Sequence, residues 1–265
     1  MKVTFKIFRF NPAVDSSPRW SVYEVEVDKS ATILDALLKI KENIDPTLTL
    51  RYSCRQAVCG SCGMVINGKE RLACFTRVLE LNSNMITIEP LKNFPVIKDL
   101  VTDFTELFVK EKTIKPYIIR RDLEEMMKPV GMYLQKEEET LSYLQFAECI
   151  ECGLCVSACP TVSIDRLFLT PMVLNKAYRF SIDPRDEGFE ERLSIIDSEH
   201  GCWRCHFALA CSNVCPKGID PGKSIQYLKN MITSHSLLEL FLGRTKKKKK
   251  TELLERPHIS SEPEI

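Results

Sequence analysis

The twelve cysteines of this chain fall into three groups of four, at positions 54–74, 149–159 and 202–215. Dense groups of thiolates hold metal ions or iron–sulfur clusters in reducing compartments, whereas in oxidising compartments they form disulfides. The first ten residues, MKVTFKIFRF, have the pattern of a strand and lack the features of a secretory signal or a transit peptide. We therefore expect a reducing cytosolic setting, in which grouped cysteines are more often metal ligands.

The first group has the spacing of a plant-type 2Fe-2S site. Three of its cysteines share one loop in the pattern C-x4-C-x2-C, and the fourth follows after eleven residues. Gly60 and Gly63 lie in this loop, where the lack of a side chain lets backbone amides approach sulfur. We expect the 2Fe-2S ligands to be Cys54, Cys59, Cys62 and Cys74. The alternative is a zinc-stabilised interaction module, because Cys59 and Cys62 alone form a zinc-knuckle pair.

The second and third groups together have the spacing of a two-cluster bacterial ferredoxin. The second matches C-x2-C-x2-C-x3-C-P in full, and the third has the same spacing with Ala208 in place of one cysteine. In this motif the fourth cysteine of each group serves the other cluster. The crossover predicts a 4Fe-4S cluster on Cys149, Cys152, Cys155 and Cys215. The other site keeps three thiolates, which suit a 3Fe-4S cluster: Cys159, Cys205 and Cys211.

One cysteine, Cys202, has no place in this scheme. It is either a fourth ligand that would complete a second 4Fe-4S cluster or a buried free thiol. Its position before Cys205 breaks the usual register, which favours the free thiol.

The elements that position the first group are strands and one helix. Residues 3–8 and 21–27 carry β-branched and aromatic residues and predict two paired strands. The apolar residues of 33–44 recur at helical intervals after a Thr32–Asp35 cap. Two further strands, 64–66 and 71–73, flank the type I′ signal Asn67-Gly68, and residues 85–88 form another.

The rest of the chain has helical patterns. We expect an α+β fold, in which a β-grasp, plant-type 2Fe-2S ferredoxin domain (1–98) precedes an all-helical, bacterial-type dicluster ferredoxin domain (141–235). A connector with one helix near Leu100 to Phe108 spans residues 99–140. In the second domain, Thr170-Pro171 and Asp220-Pro221 each place a capping residue before a proline at the first helical position. Residues 236–265 are predicted to be a mobile, basic tail.

Composition excludes several classes of function. The net charge of +1 leaves no chain-wide field for nucleic acid, and the longest uncharged stretch is too short to span a membrane. The lysine run 246–250 allows three interpretations: a nucleic-acid patch, a contact with an anionic membrane surface, or a solvated tail, which is favoured. The chain lacks a G-x-G-x-x-G motif, and GIDPGKS at 218–224 has the wrong spacing for a P-loop. Carbon chemistry is therefore expected on a partner.

The motifs together resemble the iron–sulfur subunit of succinate dehydrogenase and fumarate reductase, the respiratory complex II family. The resemblance covers residues 1 to about 235 and includes RYSCRQAVCGSCGMVINGKERLAC, CIECGLCVSACP, YRFSIDPRDEG and WRCHFALACSNVCPKGIDP. It implies single-electron transfer between the FAD of a flavoprotein subunit and quinone at a membrane-anchor subunit, through 2Fe-2S, 4Fe-4S and 3Fe-4S clusters. It also implies a peripheral position on the cytoplasmic side of the cell membrane.

Only some of the residues that line the family's quinone site have a matching residue in this sequence. Pro160 and His206 match positions that line the quinone site in the family, whereas Ile164 stands where many members have tryptophan. An acceptor other than quinone, as in a thiol-linked fumarate reductase, is therefore the alternative. The physiological direction, succinate oxidation or fumarate reduction, is left open.

Overall fold

A five-stranded mixed sheet with one helix across it forms the first part of the chain. The computed structural model describes residues 1–128 and 131–242. The strands are β1 (Lys2–Arg9), β2 (Arg19–Glu26), β3 (Gly63–Ile66), β4 (Lys69–Leu72) and β5 (Met85–Glu89), and the helix is α1 (Ile33–Asn43). The strand order is β2-β1-β5-β3-β4, with β1 antiparallel to β2 and parallel to β5. This is the predicted sheet with its single crossing helix.

Helix α1 begins where the sequence predicted it. The Thr32 hydroxyl accepts a hydrogen bond from the Asp35 amide at 3.2 Å, and the Thr32 amide donates to the Asp35 carboxylate at 2.9 Å. This reciprocal capping box satisfies two amides that have no partner within the helix. Leu37 and Ile40 are fully buried in the core that α1 shares with the sheet. Ile44, which the periodicity included, is instead half-exposed, because the helix ends at Asn43.

The hairpin between β3 and β4 confirms the predicted turn. Asn67 and Gly68 have φ angles of 47° and 75°, the left-handed pair that a type I′ turn requires. Strand β4 ends at Leu72, so Ala73, predicted as its last residue, begins a 3-10 turn (Ala73–Phe75) that carries Cys74.

The connecting region contains a small hairpin that the sequence did not predict. Strands β6 (Val96–Lys98) and β7 (Val101–Thr102) pair antiparallel, ahead of helices α2 (Thr105–Thr113) and α3 (Leu123–Met127). The prediction that Leu100 belongs to a helix was wrong, because Leu100 lies in the hairpin turn and packs into the first core. Strands of three and two residues are too short to show a period in the sequence.

Helices form the second part of the chain, as predicted. They are α4 (Glu137–Ala147), α5 (Leu154–Ser157), α6 (Pro160–Ile164), α7 (Pro171–Ser181), α8 (Phe189–Ile196), α9 (Ala210–Asn213) and α10 (Pro221–Phe241), with a 3-10 turn at Cys202–Arg204. Helices α7 and α10 pack against each other, and their residues Val173, Leu174, Ile225 and Leu228 are fully buried. Helix α10 continues past residue 235, where we placed the end of this domain, and the lysine run 246–250 lies outside the described residues.

Only one of the two predicted Xaa-Pro caps is present. The Asp220 carboxylate accepts a hydrogen bond from the Lys223 amide at 2.9 Å, at the start of α10. Thr170 does not cap α7: its side chain makes no cap bond, and its buried hydroxyl lacks a partner. The backbone of Thr170 has φ of 76°, away from the extended conformation from which a cap side chain reaches the first turn.

Candidate metal centres

The first group of cysteines lies in a loop whose amides point at sulfur. The Sγ atom of Cys54 accepts hydrogen bonds from the amides of Gln56, Val58 and Cys59 at 3.3–3.4 Å. Left-handed φ angles at Arg55 and Ala57, 58° and 59°, curl the chain tightly enough to allow this. Amides arranged in this way stabilise negative charge on the sulfur, which a cluster ligand carries.

The fourth cysteine of the group comes from across the β3–β4 hairpin. The Cys74 amide donates to Cys62 Sγ at 3.4 Å, and the Ala57 amide donates to Cys74 Sγ at 3.3 Å. These two bonds connect the turn after β4 to the middle and the end of the loop. All four predicted 2Fe-2S ligands therefore belong to one hydrogen-bonded unit.

The thiols of this unit differ in acidity. Hydrogen bonds from the Ser61 side chain and from the Cys54 backbone lower the pKa of the exposed Cys59 thiol to about 6. Burial raises the pKa of Cys62 to about 12. Metal binding requires the deprotonated form, so Cys59 is ready to bind at neutral pH, whereas Cys62 must lose its proton as iron arrives. This donor set fits an iron–sulfur core.

Cysteines from two distant segments line a second site. Cys149, Cys152, Cys155 and Cys215 surround a single cavity, whose other walls include Met172 and Ile219. Burial is the largest cause of the raised pKa of three of these thiols, Cys149, Cys152 and Cys155. The pKa of Cys152 is raised to about 12. Buried thiols at one apolar cavity need positive iron to hold their charge, so the site fits the predicted 4Fe-4S ligation.

A third set comprises Cys159, Cys205 and Cys211. Burial raises the pKa of Cys211 to about 11, and repulsion from Cys159 and Cys205 adds to the shift. The pKa of Cys159 is raised by burial and by Cys205 in the same way. The repulsion places these three thiols within electrostatic reach of one another, although Cys159 is more than forty residues from the other two along the chain. The set fits the three thiolates predicted for a 3Fe-4S cluster.

Two residues near the third set, Ala208 and Cys202, help to decide whether Cys202 is a fourth ligand or a buried free thiol. Ala208 lies in an exposed loop, between Phe207 and Leu209 with φ angles of 57° and 59°. Cys202 is fully buried, and burial raises the pKa of its thiol to about 12. These properties are those of an apolar core residue, so the free thiol is still favoured.

The three sets do not have the geometry of single-ion sites. Within residues 1–128 and 131–242, no three Cys, His, Asp or Glu side chains come close enough together to hold one metal ion. Thiolates bound at about 2.3 Å to one zinc ion would have to converge on a point.

The loops of the first and second sites touch directly. A Cβ atom on Gly60, whose φ is 73°, would lie 2.9 Å from Cys152 Cβ and 2.9 Å from the Ile150 carbonyl oxygen. A Cβ atom on Gly63 would lie 3.1 Å from the Cys152 carbonyl oxygen. The glycines therefore allow the first loop to lie against the second, which brings the two sites close together.

A polar seam holds the two parts of the chain in this position. The Asn93 side-chain amide donates to the carbonyl oxygens of Val156 and Ser157 at 2.9 and 3.0 Å. The Ser157 hydroxyl donates to Glu70 at 3.0 Å and accepts from the Lys92 amide at 2.9 Å. All of these contacts converge on α5, which carries Cys155 and ends two residues before Cys159. None of these residues was singled out from the sequence.

A buried cation lies beside the second site. Lys176 on α7 pairs with Glu111 on α2 and with Glu151, which lies between Cys149 and Cys152. The side chain of Lys176 is mostly buried, and its charge opposes the effect of burial on the pKa of Cys149. Sequence reasoning missed Lys176 because its partners are 65 and 25 residues away.

Replacing Lys176 with glutamine is expected to lower the midpoint potential of the 4Fe-4S centre. Removing a buried positive charge, while Glu111 and Glu151 stay, disfavours the more negative reduced state. We expect a shift on the order of tens of millivolts in a redox titration followed by electron paramagnetic resonance (EPR). The matched control is Lys112→Gln on the exposed side of α2, where solvent screens the charge. A shift of equal size in the control would contradict the assignment.

The predicted quinone contacts flank the third set. Pro160 begins α6 next to Cys159, His206 follows Cys205, and both are exposed. Asp165 Oδ2 accepts a hydrogen bond from Arg204 Nε at 2.9 Å and so joins the end of α6 to the turn before Cys205. Ile164, at the tryptophan position, is 73% exposed. The exposed rings of Trp203 and Phe207, which the sequence did not mark, also lie close in sequence to Cys205.

Comparisons with known proteins agree with the division of the chain into a 2Fe-2S part and a dicluster part. Residues 4–109 match the family model of a 2Fe-2S iron-sulfur cluster binding domain, and residues 145–219 match that of a 4Fe-4S dicluster domain. The fumarate reductase iron-sulfur subunit of Mycobacterium tuberculosis is 38% identical over 239 residues, which cover 90% of this chain and 96% of that protein. The succinate dehydrogenase iron-sulfur subunit of Paracoccus denitrificans is 40% identical over 231 residues, 86% and 87% of the two chains.

A solved structure has the same fold along most of its length. A chain of the Mycobacterium smegmatis Sdh1 complex in the apo form superposes with a TM-score of 0.80 at 27% identity. The match covers 89% of this chain and 97% of that chain. The order of sheet and helices is therefore shared along that length.

Proposed function

Because this chain belongs to the family of iron–sulfur subunits of fumarate reductase and succinate dehydrogenase, we propose that its eleven motif cysteines are the ligands of three clusters. Membership makes the chain an electron-transfer subunit of this oxidoreductase family. The clusters are of the 2Fe-2S, 4Fe-4S and 3Fe-4S types. The observation that carries the ligand assignment is the single cavity lined by three cysteines of one segment and Cys215 of another.

When bound, the clusters would supply one-electron chemistry between a two-electron flavin and a quinone. The residues of this chain hold and tune them. Amides at Cys54 Sγ stabilise charge on the first site, and Lys176 supplies a buried positive charge beside the second. The seam at Asn93 and Ser157 fixes the distance between the sites. The described part of the chain contains no helix long and apolar enough to cross a membrane.

The partners in this proposal are a flavoprotein subunit with FAD, which carries the dicarboxylate site, and membrane-anchor subunits with quinone. The chain would lie peripherally on the cytoplasmic side of the membrane. Pro160 and His206 are the proposed quinone contacts, since both are exposed beside cysteines of the third set. A thiol-linked acceptor is the second candidate. Ile164 stands where many members of the family have tryptophan, and isoleucine lacks the N–H donor that tryptophan offers.

Anaerobic purification of the complex tests the proposal. We expect about nine iron atoms and about ten acid-labile sulfides per chain, with a 3Fe-4S signal in the oxidised EPR spectrum. Assays with quinone and with thiol donors separate the two acceptors, and we expect activity with quinone. Zinc in place of iron would overturn the cluster assignment. Two 4Fe-4S centres would instead make Cys202 a ligand and overturn the 3Fe-4S assignment.

A further inference from the structure

One residue in the wall of the second cavity has a polar atom that the fold leaves without a partner. Asn175 on α7 lines the cavity that Cys149, Cys152, Cys155 and Cys215 surround, and it is 1% exposed. Its amide oxygen, Oδ1, accepts no hydrogen bond from any donor in the described part of the chain. A buried acceptor without a donor costs free energy, so natural proteins keep few of them. Its place in the wall of a cluster site points to a role in that site.

The other end of the same amide is held by the backbone. Nδ2 of Asn175 donates a hydrogen bond to the Phe146 carbonyl oxygen at 3.0 Å, in the last turn of α4. This bond fixes the orientation of the amide, because a flip would bring Oδ1 against another oxygen that only accepts. Phe146 lies three residues before Cys149 in the chain. The bond therefore joins α7 to the segment that leads into the second site, and it leaves the oxygen as the free end of the amide.

The other buried polar atoms without a partner belong to residues outside this cavity wall. In the described part of the chain they are side-chain atoms of five residues: Arg9, Thr170, Arg179, Ser181 and Gln226. Ser181 is the last residue of α7, the helix that carries Asn175. It therefore offers an unpaired oxygen on the same helix but away from the cluster site, which makes it a matched control.

We propose that Asn175 Oδ1 faces the 4Fe-4S cluster and lowers its midpoint potential. A carbonyl oxygen carries partial negative charge, which acts more strongly in a buried, apolar wall than in water. Reduction adds an electron to the cluster, so a negative pole beside it disfavours the reduced state. Lys176, the next residue, supplies the opposite charge beside the same site, so the two neighbours set the potential between them. This inference rests on the proposed function, because it needs the cluster on the four cysteines of this cavity.

Replacing Asn175 with leucine in the purified complex tests this role, because leucine has the same branched shape and no amide dipole. In a redox titration followed by EPR, we expect the ratio of reduced to oxidised 4Fe-4S centre at a fixed potential to rise at least about threefold. This ratio corresponds to an upward shift of about 28 mV, at about 59 mV per tenfold change. Asn175→Met, whose flexible side chain fills an irregular site more easily, is expected to shift the potential in the same direction. The double variant N175L/K176Q should have a potential between those of the two single variants.

Ser181→Ala is the control, since it also removes a buried, unpaired oxygen from α7. We expect its 4Fe-4S potential to stay unchanged. A lower potential in both Asn175 variants would mean that the amide, or a water bound to it, donates to a cluster sulfur, and would overturn the proposal. An unchanged potential, or loss of the 4Fe-4S centre in both variants but not in Ser181→Ala, would limit Asn175 to its bond with Phe146 and would also overturn it. Failure of the proposed ligand set is distinguishable, because the unmodified complex would then lack the 4Fe-4S signal.

Discussion

Replacing Cys215 with alanine is expected to remove the 4Fe-4S centre and leave the 2Fe-2S centre in place. Cys215 is the one cysteine of its cavity that comes from the distant segment, and the other three cannot supply its corner. We expect iron to fall from about nine to about five atoms per chain. Electron transfer from succinate to quinone should fall by more than about a hundredfold, because one of the three clusters of the relay is lost. Iron analysis, EPR and activity of the purified complex measure these effects.

Cys202→Ala is the matched control for this change. Cys202 lies in the same part of the fold and is more deeply buried than Cys215, so it tests whether loss of any thiol there disturbs the clusters. We expect full iron content and near-normal activity, with a loss of stability of about 1 kcal/mol from the smaller side chain. Loss of iron in Cys202→Ala with retention in Cys215→Ala would contradict the crossover.

The second large effect is expected for Gly60→Ala. A methyl group there meets both Cys152 Cβ and the Ile150 carbonyl oxygen at 2.9 Å, and backbone atoms cannot move aside cheaply. The left-handed φ of 73° adds strain for any residue with a Cβ. Together the clash and the strain should cost about 3 kcal/mol. We expect a lower thermal midpoint and loss of the 2Fe-2S signal, since the Cys59–Cys62 loop must shift.

Gly68→Ala separates the clash from the strain. Gly68 has nearly the same φ, 75°, but a Cβ atom added there would have no neighbouring atom within 4 Å. Only the strain, about 1 kcal/mol, should remain, and the cluster signals should be unchanged. If both variants lost the same stability and kept the 2Fe-2S signal, the contact between the two loops would not matter for the site.

The sequence was informative where the signals are local. The capping box at Thr32 and the Asn67-Gly68 turn each depend on neighbouring residues alone, and both are present. The β6–β7 hairpin was missed because its strands are too short to show alternation. The expected cap at Thr170 failed because the chain there is held in a left-handed conformation, next to a bond from the Leu169 amide to the His200 carbonyl oxygen.

The candidate site, like the fold, could be predicted where neighbouring residues form a motif, and could not where the partners are distant in the sequence. Cysteine spacing predicts which thiols act together, because each motif encodes a loop around an inorganic core, and this assignment stays a prediction. The groups that surround those loops are not encoded in this way. Asn93 reaches carbonyl oxygens more than sixty residues away, and Lys176 pairs with carboxylates on two other segments. Only the folded chain brings such groups together, so only the structure could reveal them.

The shared cavity of Cys149, Cys152, Cys155 and Cys215 also sets an order of events during biosynthesis. A ribosome adds Cys74, the last proposed ligand of the first site, 141 residues before Cys215. At about 5–20 residues per second, this interval lasts roughly 7–28 s. During that time the nascent chain can complete the first centre. The three thiols at 149–155 wait for their fourth partner over the last 60 residues only, for roughly 3–12 s. Iron delivery to the helical half must therefore follow translation of its final motif.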